Sequence, residues 1–479
     1  MPEPRPNILL IHVDQWRADA LGFLGDTPAE TPHLDTLFDE GVHFAQAYAA
    51  CPSCIASRAS LHTGLTPRSH GRVGYRDGVP WTYPTTLAGL LAQGGYHAHA
   101  VGKMHVYPAR YLLGFHGVVL HDGYLHYERR GVQDLHRVDD YLPWLRAQHG
   151  PTADYIDTGL GCNGYVVRPW IYEDMCHPSA WVTTEAIDFL RRRDPTKPFF
   201  LYTSYHRPHP PLDPPEAYLR SFEQRALPPP VSGDWDADFP LRGRSLDSPV
   251  PRDPMQRDRA RHAYYAQLAF IDHQLNRLVH TLHAHEVLDN TAIVFISDHG
   301  EMLYDHGMIA KALPYDGSAR VPFLLRLPQS MGGLRRTTID APVEQRDILP
   351  TLCDLAGINV PESVEGRSLL PFCLGQMPPW RDLIHGEHAW GELSNQWLTD
   401  GQWTYAWYSQ TGYQQLFNLR EDPRQTRNLV DVHPEYVSRW RQRLIEALNG
   451  REEGYVLNNE LVVGRPPQAT LAEAGLPVS

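Results

Sequence analysis

Short aliphatic or β-branched runs alternate along this chain with stretches whose apolar positions recur every three or four residues. That alternation predicts an α/β layered fold, with a large, mostly parallel sheet sandwiched by helices. The apolar runs share a second property, because each ends in side chains able to do chemistry. "NILLIHVDQ" ends at Asp14 and Gln15, and "HAHAVGKMH" ends at Lys103 and His105. "PFFLYTSYHRPH" ends at His206 and His209, and "TAIVFISDHG" at Asp298 and His299. Ligands of open α/β sheets sit beyond the carboxyl ends of the strands, so these four endings are expected to converge on one crevice.

Helical patterns fill the gaps. Thr31-Pro32 reads as N-cap and first turn of a helix closed by Gly41. From Arg259 to His283, the residues Tyr264, Leu268, Ile271, Leu275, Leu278 and Leu282 follow steps of four and three, which predicts one apolar stripe against the sheet. Residues 106–175 and 207–257 are rich in Pro, Gly, Asp and Tyr and have weak periodicity. They are expected to be insertions over the crevice, where substrates are selected.

After Trp380 the texture changes. Asp400-Gly401 predicts a hairpin, "QQLFNLRED" a further strand and "EYVSRWRQRLIEAL" an amphipathic helix. The expected organisation is a catalytic domain over 1–379 and a smaller C-terminal α+β subdomain over 380–479. Trp390, Trp397, Trp403 and Trp407 are expected mostly in the core of that subdomain, with an aromatic pocket as the alternative.

Composition narrows the setting. The 479 residues suffice for one large domain and a smaller one. No apolar run reaches the roughly 18 residues that cross a bilayer, and the opening stretch lacks a cleavage-like site. Six cysteines are too sparse for a disulfide scaffold and fit a reducing compartment, so a cytoplasmic protein without membrane association is expected. A formal charge of -13 disfavours any sequence-independent grip on nucleic acid.

The stretch "CPSCIASRASLHTG" admits two chemistries. Cys51 and Cys54 form a C-x-x-C pair, but there is no second pair, and Cys162 and Cys176 lie too far apart in sequence to resemble one. Structural zinc is therefore not expected. A redox pair belongs just after the first strand of a compact βαβ unit, whereas this one follows a second extended run, "VHFAQAYAA". The alternative is a helix that starts at Cys54 and ends at Gly64, with Arg58 on the face of Cys54. Its N-terminus and guanidinium then favour an anion.

Asp14 and Asp298 are hard oxygen donors suited to Ca²⁺ or Mg²⁺, and a nitrogen from His299 admits Mn²⁺ or Zn²⁺. Lys103 and His105 are expected to alternate on a strand end and point the same way, one as a fixed charge and one as a base. His306 reads as a structural histidine bonded to a neighbouring carbonyl.

Cys54-Ile55-Ala56-Ser57-Arg58, followed by Thr63-Gly64, resembles the C-x-[P/A]-x-R-x-x-x-x-T-G signature of type I sulfatases, within the alkaline-phosphatase-like superfamily. Further motifs of that family recur in order: "VDQ", "GKMH", "YHRPH", "SDHGEMLYDHGMIAK" and "LFNLREDPRQTRNL". The resemblance implies that Cys54 is converted to formylglycine by a formylglycine-generating or anaerobic sulfatase-maturating enzyme. It further implies that Asp14, Gln15, the converted Cys54, Asp298 and His299 hold Ca²⁺, with Mg²⁺ or Mn²⁺ as alternatives.

By the same resemblance, Arg58 holds the aldehyde hydrate, and Lys103 and His105 contact hydrate and sulfate. His206 and Lys311 bind sulfate oxygens and assist the leaving group, with His209 as the alternative to His206. One hydrate hydroxyl attacks sulfur, and His105 then deprotonates the second so that sulfate is expelled. A thiol lacks that second hydroxyl.

Two positions depart from the commoner family pattern, Ala56 in place of proline and Gln15 in place of a second aspartate. Gln15 resembles choline-sulfatase-like and phosphonate-monoesterase-like members. The activity implied is hydrolysis of an aryl or carbohydrate sulfate ester. Phosphonate monoester or phosphodiester hydrolysis is the alternative, and the Lys103-His105 pair favours sulfate because that other branch tends to lack it. A non-catalytic, metal-stabilised carbohydrate-binding protein that keeps Cys54 as a thiol is the third reading.

Overall fold

The computed structural model describes residues 5–125, 134–241, 250–251 and 253–478. Eight strands form the main sheet: β1 (Asn7–Asp14), β2 (Val42–Phe44), β3 (His97–Gly102), β4 (Gly117–Leu120), β5 (Phe199–Pro208), β6 (Thr291–Ser297), β7 (Phe323–Arg326) and β8 (Thr337–Ile339). Their spatial order is β4-β3-β5-β1-β6-β7-β2-β8. Neighbours run parallel except around β7, which is antiparallel to both β6 and β2. Every residue of β1, β5 and β6 is buried, which explains why these strands read as near-continuous apolar runs.

Alternation along the strands feeds two cores. Ile8, Leu10, Phe200, Tyr202 and Val294 face one layer, which includes Ile55, Ala59 and Leu61 of a helix considered below. Leu9, Ile11, Leu201, Ile293 and Phe295 face the other, built on the helices Pro178–Arg192 and Pro254–Ala284. The six residues of the predicted stripe in the second of these helices are all buried. That helix starts earlier than its apolar pattern, because the Asp253 carboxylate caps it by accepting from the Met255 N–H at 2.9 Å.

Two expectations need correcting. The helix Pro32–Asp39 begins at the Thr31-Pro32 signal, but it ends through Glu40 in a right-handed conformation, so Gly41 is not its cap. Gly41 instead permits close approach of β7, since a Cβ there would lie 2.4 Å from the Leu325 carbonyl oxygen. Strand β4 also lies inside the segment read as an insertion. It adds an edge strand beside β3, and its half-exposed residues explain why the apolar pattern is weak there.

Towards the C-terminus, Ile384–His388, Asn395–Thr399, Trp403–Tyr408 and Gln414–Asn418 form a four-stranded antiparallel sheet in chain order. The Asp400-Gly401 turn joins the middle pair, with Gly401 at φ 86°. Trp440, Leu444 and Leu448 of the helix Pro434–Leu448 pack on Leu398, Tyr405 and Trp407. Trp397 and Trp407 are core, and Trp403 packs on Tyr436 at 4.7 Å between ring centroids. Trp390 reaches the crevice of the main sheet. Among the described residues no helix is long and apolar enough to cross a membrane.

Candidate active site

The carboxyl ends of β1, β3, β5 and β6 meet as the sequence predicts, and all eleven candidate residues are buried. Between them stands the helix Cys54–Thr63, with Cys54 as its first residue. Small residues at Ala56, Ser57, Ala59 and Ser60 let all ten positions enter the core. Gly64 ends the helix at φ 70°, its N–H donating to the Ser60 carbonyl.

Arg58 lies on the Cys54 side of that helix. Its guanidinium pairs with the Asp298 carboxylate at 3.1 Å and lies 3.8 Å from that of Asp14. One terminal nitrogen donates, at 2.9 Å each, to the Lys103 carbonyl, the Tyr202 hydroxyl and Ser204 Oγ. Burial alone would ease its proton off, but Tyr202, Asp298 and Asp14 outweigh that and raise its pKa. A surface or capping arginine is thereby excluded.

Four donor atoms gather at Asp14, Cys54, Asp298 and His299, all within 4.8 Å of one another. His299 Nε2 stands 3.2 Å from Cys54 Sγ, 3.5 Å from Asp14 Oδ1 and 3.6 Å from Asp298 Oδ1. Its Nδ1 lies 2.9 Å from the Gly300 carbonyl, which can only accept; Nδ1 therefore carries a proton, and Nε2 is the atom turned to the cluster. Two carboxylates, an imidazole and position 54 form a donor set that fits a divalent cation.

The surrounding charges are cationic. Lys103 Nζ pairs directly with Asp14. Burial pushes the Asp14 carboxyl up, but the opposing positive charges, Lys103 foremost and Lys311 with it, hold it well below the usual range. Burial and Asp14 push the Cys54 thiol up, and Lys103, Lys311 and His299 outweigh them, so the thiol titrates below its usual value.

Gln15, at φ 69°, donates its backbone N–H to Asp298 Oδ1 at 3.1 Å. Its amide nitrogen donates to Glu301, and its amide oxygen accepts from Lys311 Nζ at 3.1 Å. Glu301 also accepts from the Tyr165 hydroxyl at 2.6 Å and from the N–H groups of Leu303 and Ala310 at 2.8 Å. The negative charge missing at position 15 therefore stands one residue further out.

Lys103 and His105 reach the crevice by a different route from the one expected. Strand β3 stops at Gly102, whose φ is 96° and where a Cβ would lie 1.9 Å from the Ser204 carbonyl oxygen. The two residues lie in the following loop, which Asp122 ties down by accepting from the N–H groups of Met104 and His105 at 2.7 and 2.8 Å. A carboxylate, not strand pleating, aligns them.

The two histidines at the end of β5 hold opposite tautomers. Arg207, itself clamped by Asp213 through two 2.7 Å bonds, donates to His206 Nδ1 at 2.8 Å, leaving the proton on Nε2. His209 places Nδ1 at 2.8 Å from the Pro210 carbonyl, leaving Nε2 as an acceptor. Burial, with Lys103 beside His206 and Lys311 beside His209, lowers both pKa values far below the ordinary histidine range. Gly123, at φ 64°, makes room for His206, since a Cβ would stand 2.3 Å from its Cδ2.

These groups surround a cavity of about 110 Å³ lined by Cys54, Lys103, His105, His206, His209 and Lys311. Ser53, Tyr75, Asp122, Tyr124, Leu125, Cys162, Asn163 and Trp390 complete its wall. Of these, Trp390 alone is a pocket candidate from the sequence. Asp122 was accessible as the end of a fifth strand, "HGVVLHD", and Tyr202 and Ser204 as the period-2 partners of His206.

His306 stands apart, bonded to Asp236 at 2.9 Å and to the Arg424 carbonyl at 3.1 Å, in the structural role expected of it. All six cysteines are free thiols, and Cys51 is buried with its pKa raised by burial and by Glu387.

The family model "Sulfatase" matches residues 6–358. The chain belongs to the sulfatase family. A second model, "N-sulphoglucosamine sulphohydrolase, C-terminal", matches residues 304–452. Among relatives of this sulfatase-family chain, the "Arylsulfatase" of Clostridium perfringens (strain 13 / Type A) is 46% identical over 472 residues, covering 96% of this chain and 98% of that protein. The "Choline-sulfatase" of Rhizobium meliloti (strain 1021) is 29% identical, covering 90% of this chain and 83% of that protein. In three dimensions the chain is similar to the phosphonate monoester hydrolase of Agrobacterium radiobacter, with TM-score 0.78, 27% identity and coverage of 92% and 95%. The fold is thus the alkaline-phosphatase-like one that the motifs implied.

Proposed function

We propose that this sulfuric ester hydrolase cleaves a small sulfate ester, aryl before carbohydrate, at position 54. The observation that carries this reading is the placement of Cys54 where the four-donor cluster meets three permanent cations, Arg58, Lys103 and Lys311. Such a site suits a tetrahedral anion whose charge grows at the departing oxygen.

Asp14, Gln15, Asp298 and His299, with an oxygen on a converted Cys54, would hold Ca²⁺, with Mg²⁺ or Mn²⁺ as alternatives. When present, the cation supplies Lewis-acid polarisation and formylglycine supplies the nucleophilic oxygen together with a second hydroxyl. A formylglycine-generating or anaerobic sulfatase-maturating enzyme, acting in the cytoplasm, would make that conversion.

The chain's own groups do the rest. Arg58 orients position 54, and Lys103 balances Asp14 while facing the sulfate. His206 offers its Nε2–H to the bridging oxygen, and Lys311 supplies the proton that the departing alcohol takes. His209, as an acceptor, serves the hydroxyl of a bound substrate or water, and His105 takes the proton from the second hydroxyl. Tyr75, Tyr124 and Trp390 line the same cavity, and their π faces suit an aromatic or sugar ring on the departing alcohol. We also propose residues 1–379 as the catalytic domain, with 380–479 contributing Trp390 to its wall.

The likeness to a phosphonate monoester hydrolase keeps phosphonate or phosphodiester hydrolysis as the second reading. Comparing kcat/KM for an aryl sulfate and the matching aryl phosphonate decides between them. Sulfate is expected to be faster, and faster phosphonate turnover would reverse the ranking. Intact mass of the Cys54 peptide from active, host-matured enzyme tests the conversion. A peptide wholly in the thiol form would remove formylglycine from the mechanism.

A further inference from the structure

A second cluster of side chains of metal-ligating type lies outside the catalytic crevice. His149 is the last residue of the helix Tyr141–His149, and Cys176 closes a short turn ahead of the helix Pro178–Arg192. The two are 27 residues apart in sequence, yet His149 Nε2 lies 3.3 Å from Cys176 Sγ. The same Nε2 lies 3.2 Å from a Glu173 carboxylate oxygen. The three ligand atoms are all within 4.8 Å of one another.

We propose that His149, Glu173 and Cys176 bind one Zn²⁺ ion, with water in the fourth position.

The spacing supports a tetrahedral ion. With Zn–N and Zn–O near 2.0 Å and Zn–S near 2.3 Å, a tetrahedron has N···O and N···S edges of about 3.3 and 3.5 Å. The observed 3.2 and 3.3 Å match those edges to a few tenths of an ångström. The donor set, one sulfur, one imidazole nitrogen and one carboxylate, selects a borderline-soft cation over Ca²⁺ or Mg²⁺. His149 is further held by the Tyr172 ring, 4.4 Å away between centroids. Glu173 is exposed and the other two are half-buried, so the ion has a path from solvent. Binding deprotonates the Cys176 thiol and releases that proton to solvent.

The site also has a place in the architecture. The chain between His149 and Cys176 carries Cys162 and Asn163 into the wall of the catalytic cavity, and Tyr165 onto Glu301. An ion at its two ends would close that segment into a ring and restrict its freedom.

The test uses the full chain, stripped with chelator and titrated with Co²⁺ as a spectroscopic stand-in and then with Zn²⁺. In a C54S background Co²⁺ is expected to give a thiolate charge-transfer band and tetrahedral d–d bands, both lost when C176S is added. Glu173→Gln is expected to weaken binding by about 10-fold or more while leaving the band in place. Melting of each metal-free variant confirms folding. Should C176S fail to fold, His149→Gln takes its place, with loss of the tetrahedral bands as the expected result. No thiolate band in the C54S background, or a band that persists when C176S is added, overturns the proposal.

Discussion

Two groups of metal-type ligands in this chain are built in opposite ways. Asp14, Cys54, Asp298 and His299 lie within the core, with each carboxylate bonded to a lysine, an arginine or a backbone N–H. His149, Glu173 and Cys176 sit nearer the surface, with His149 bonded to both other side chains and flanked by the Tyr172 ring. The buried group is braced from four strand ends, so its geometry survives without an ion, while the surface group is set by a helix end and one short turn. Buried charges need partners, and partners convert a cluster into a positioned site. Surface donors face water and draw their order from whatever they bind.

The sharpest way to break this comparison is Arg58→Ala. It leaves Asp298 buried without its guanidinium, and a loss of about 3–5 kcal/mol in unfolding free energy is expected by chemical denaturation. Turnover should fall by on the order of 10²-fold or more in whatever fraction folds. Gly123→Ala should spare much of that stability but push His206 aside. A kcat lowered by about 10²-fold with metal content unchanged is expected, and wild-type kcat would show that His206 position does not matter.

Trp390→Ala tests the aromatic wall of the cavity. KM for an aryl sulfate should rise on the order of ten-fold with kcat largely kept, measured by steady-state kinetics.

Acid probes the clamp behind His206. Burial pushes the Asp213 carboxyl up, but Arg207 and His177 outweigh it and hold the group well below the usual aspartate range. Its folded pKa lies below its unfolded one of about 3.9, so the stability it contributes is complete above that pH and is lost as pH falls toward the folded value. Asp213→Asn should flatten the acid limb of the melting-temperature profile below about pH 4. The smallest effect is expected at the surface cluster, where Glu173→Gln should alter KM by about two- to three-fold through the Cys162–Asn163 wall and leave kcat intact.

Much of the buried site was legible in the sequence because strand ends announce themselves. An apolar run that stops at Asp14 or at Asp298 signals both the element and the direction in which its carboxylate points. The Cys54 helix was equally legible, from a first residue at the motif cysteine to Gly64. What escaped depends on contacts between distant segments. Asp122 follows a half-exposed edge strand with little hydrophobic contrast, so the loop bearing Lys103 and His105 was attributed to strand pleating. The opposite tautomers of His206 and His209 come from Arg207 and the Pro210 carbonyl, which no spacing rule reveals. Nor does any spacing rule link Cys176 to His149, 27 residues away, beside which the fold sets it.

The burial of the Cys54 helix carries a consequence in time. Its first residue is 2% exposed, and the nine that follow are enclosed as well. Under the proposed conversion, an enzyme that must seat the Cys54 side chain in its own active site cannot reach it in the finished protein. The modification then belongs to the interval between synthesis and closure of the core. A chain that folds before that encounter is structurally complete and permanently idle, so the fraction of active molecules records a race won or lost once per polypeptide.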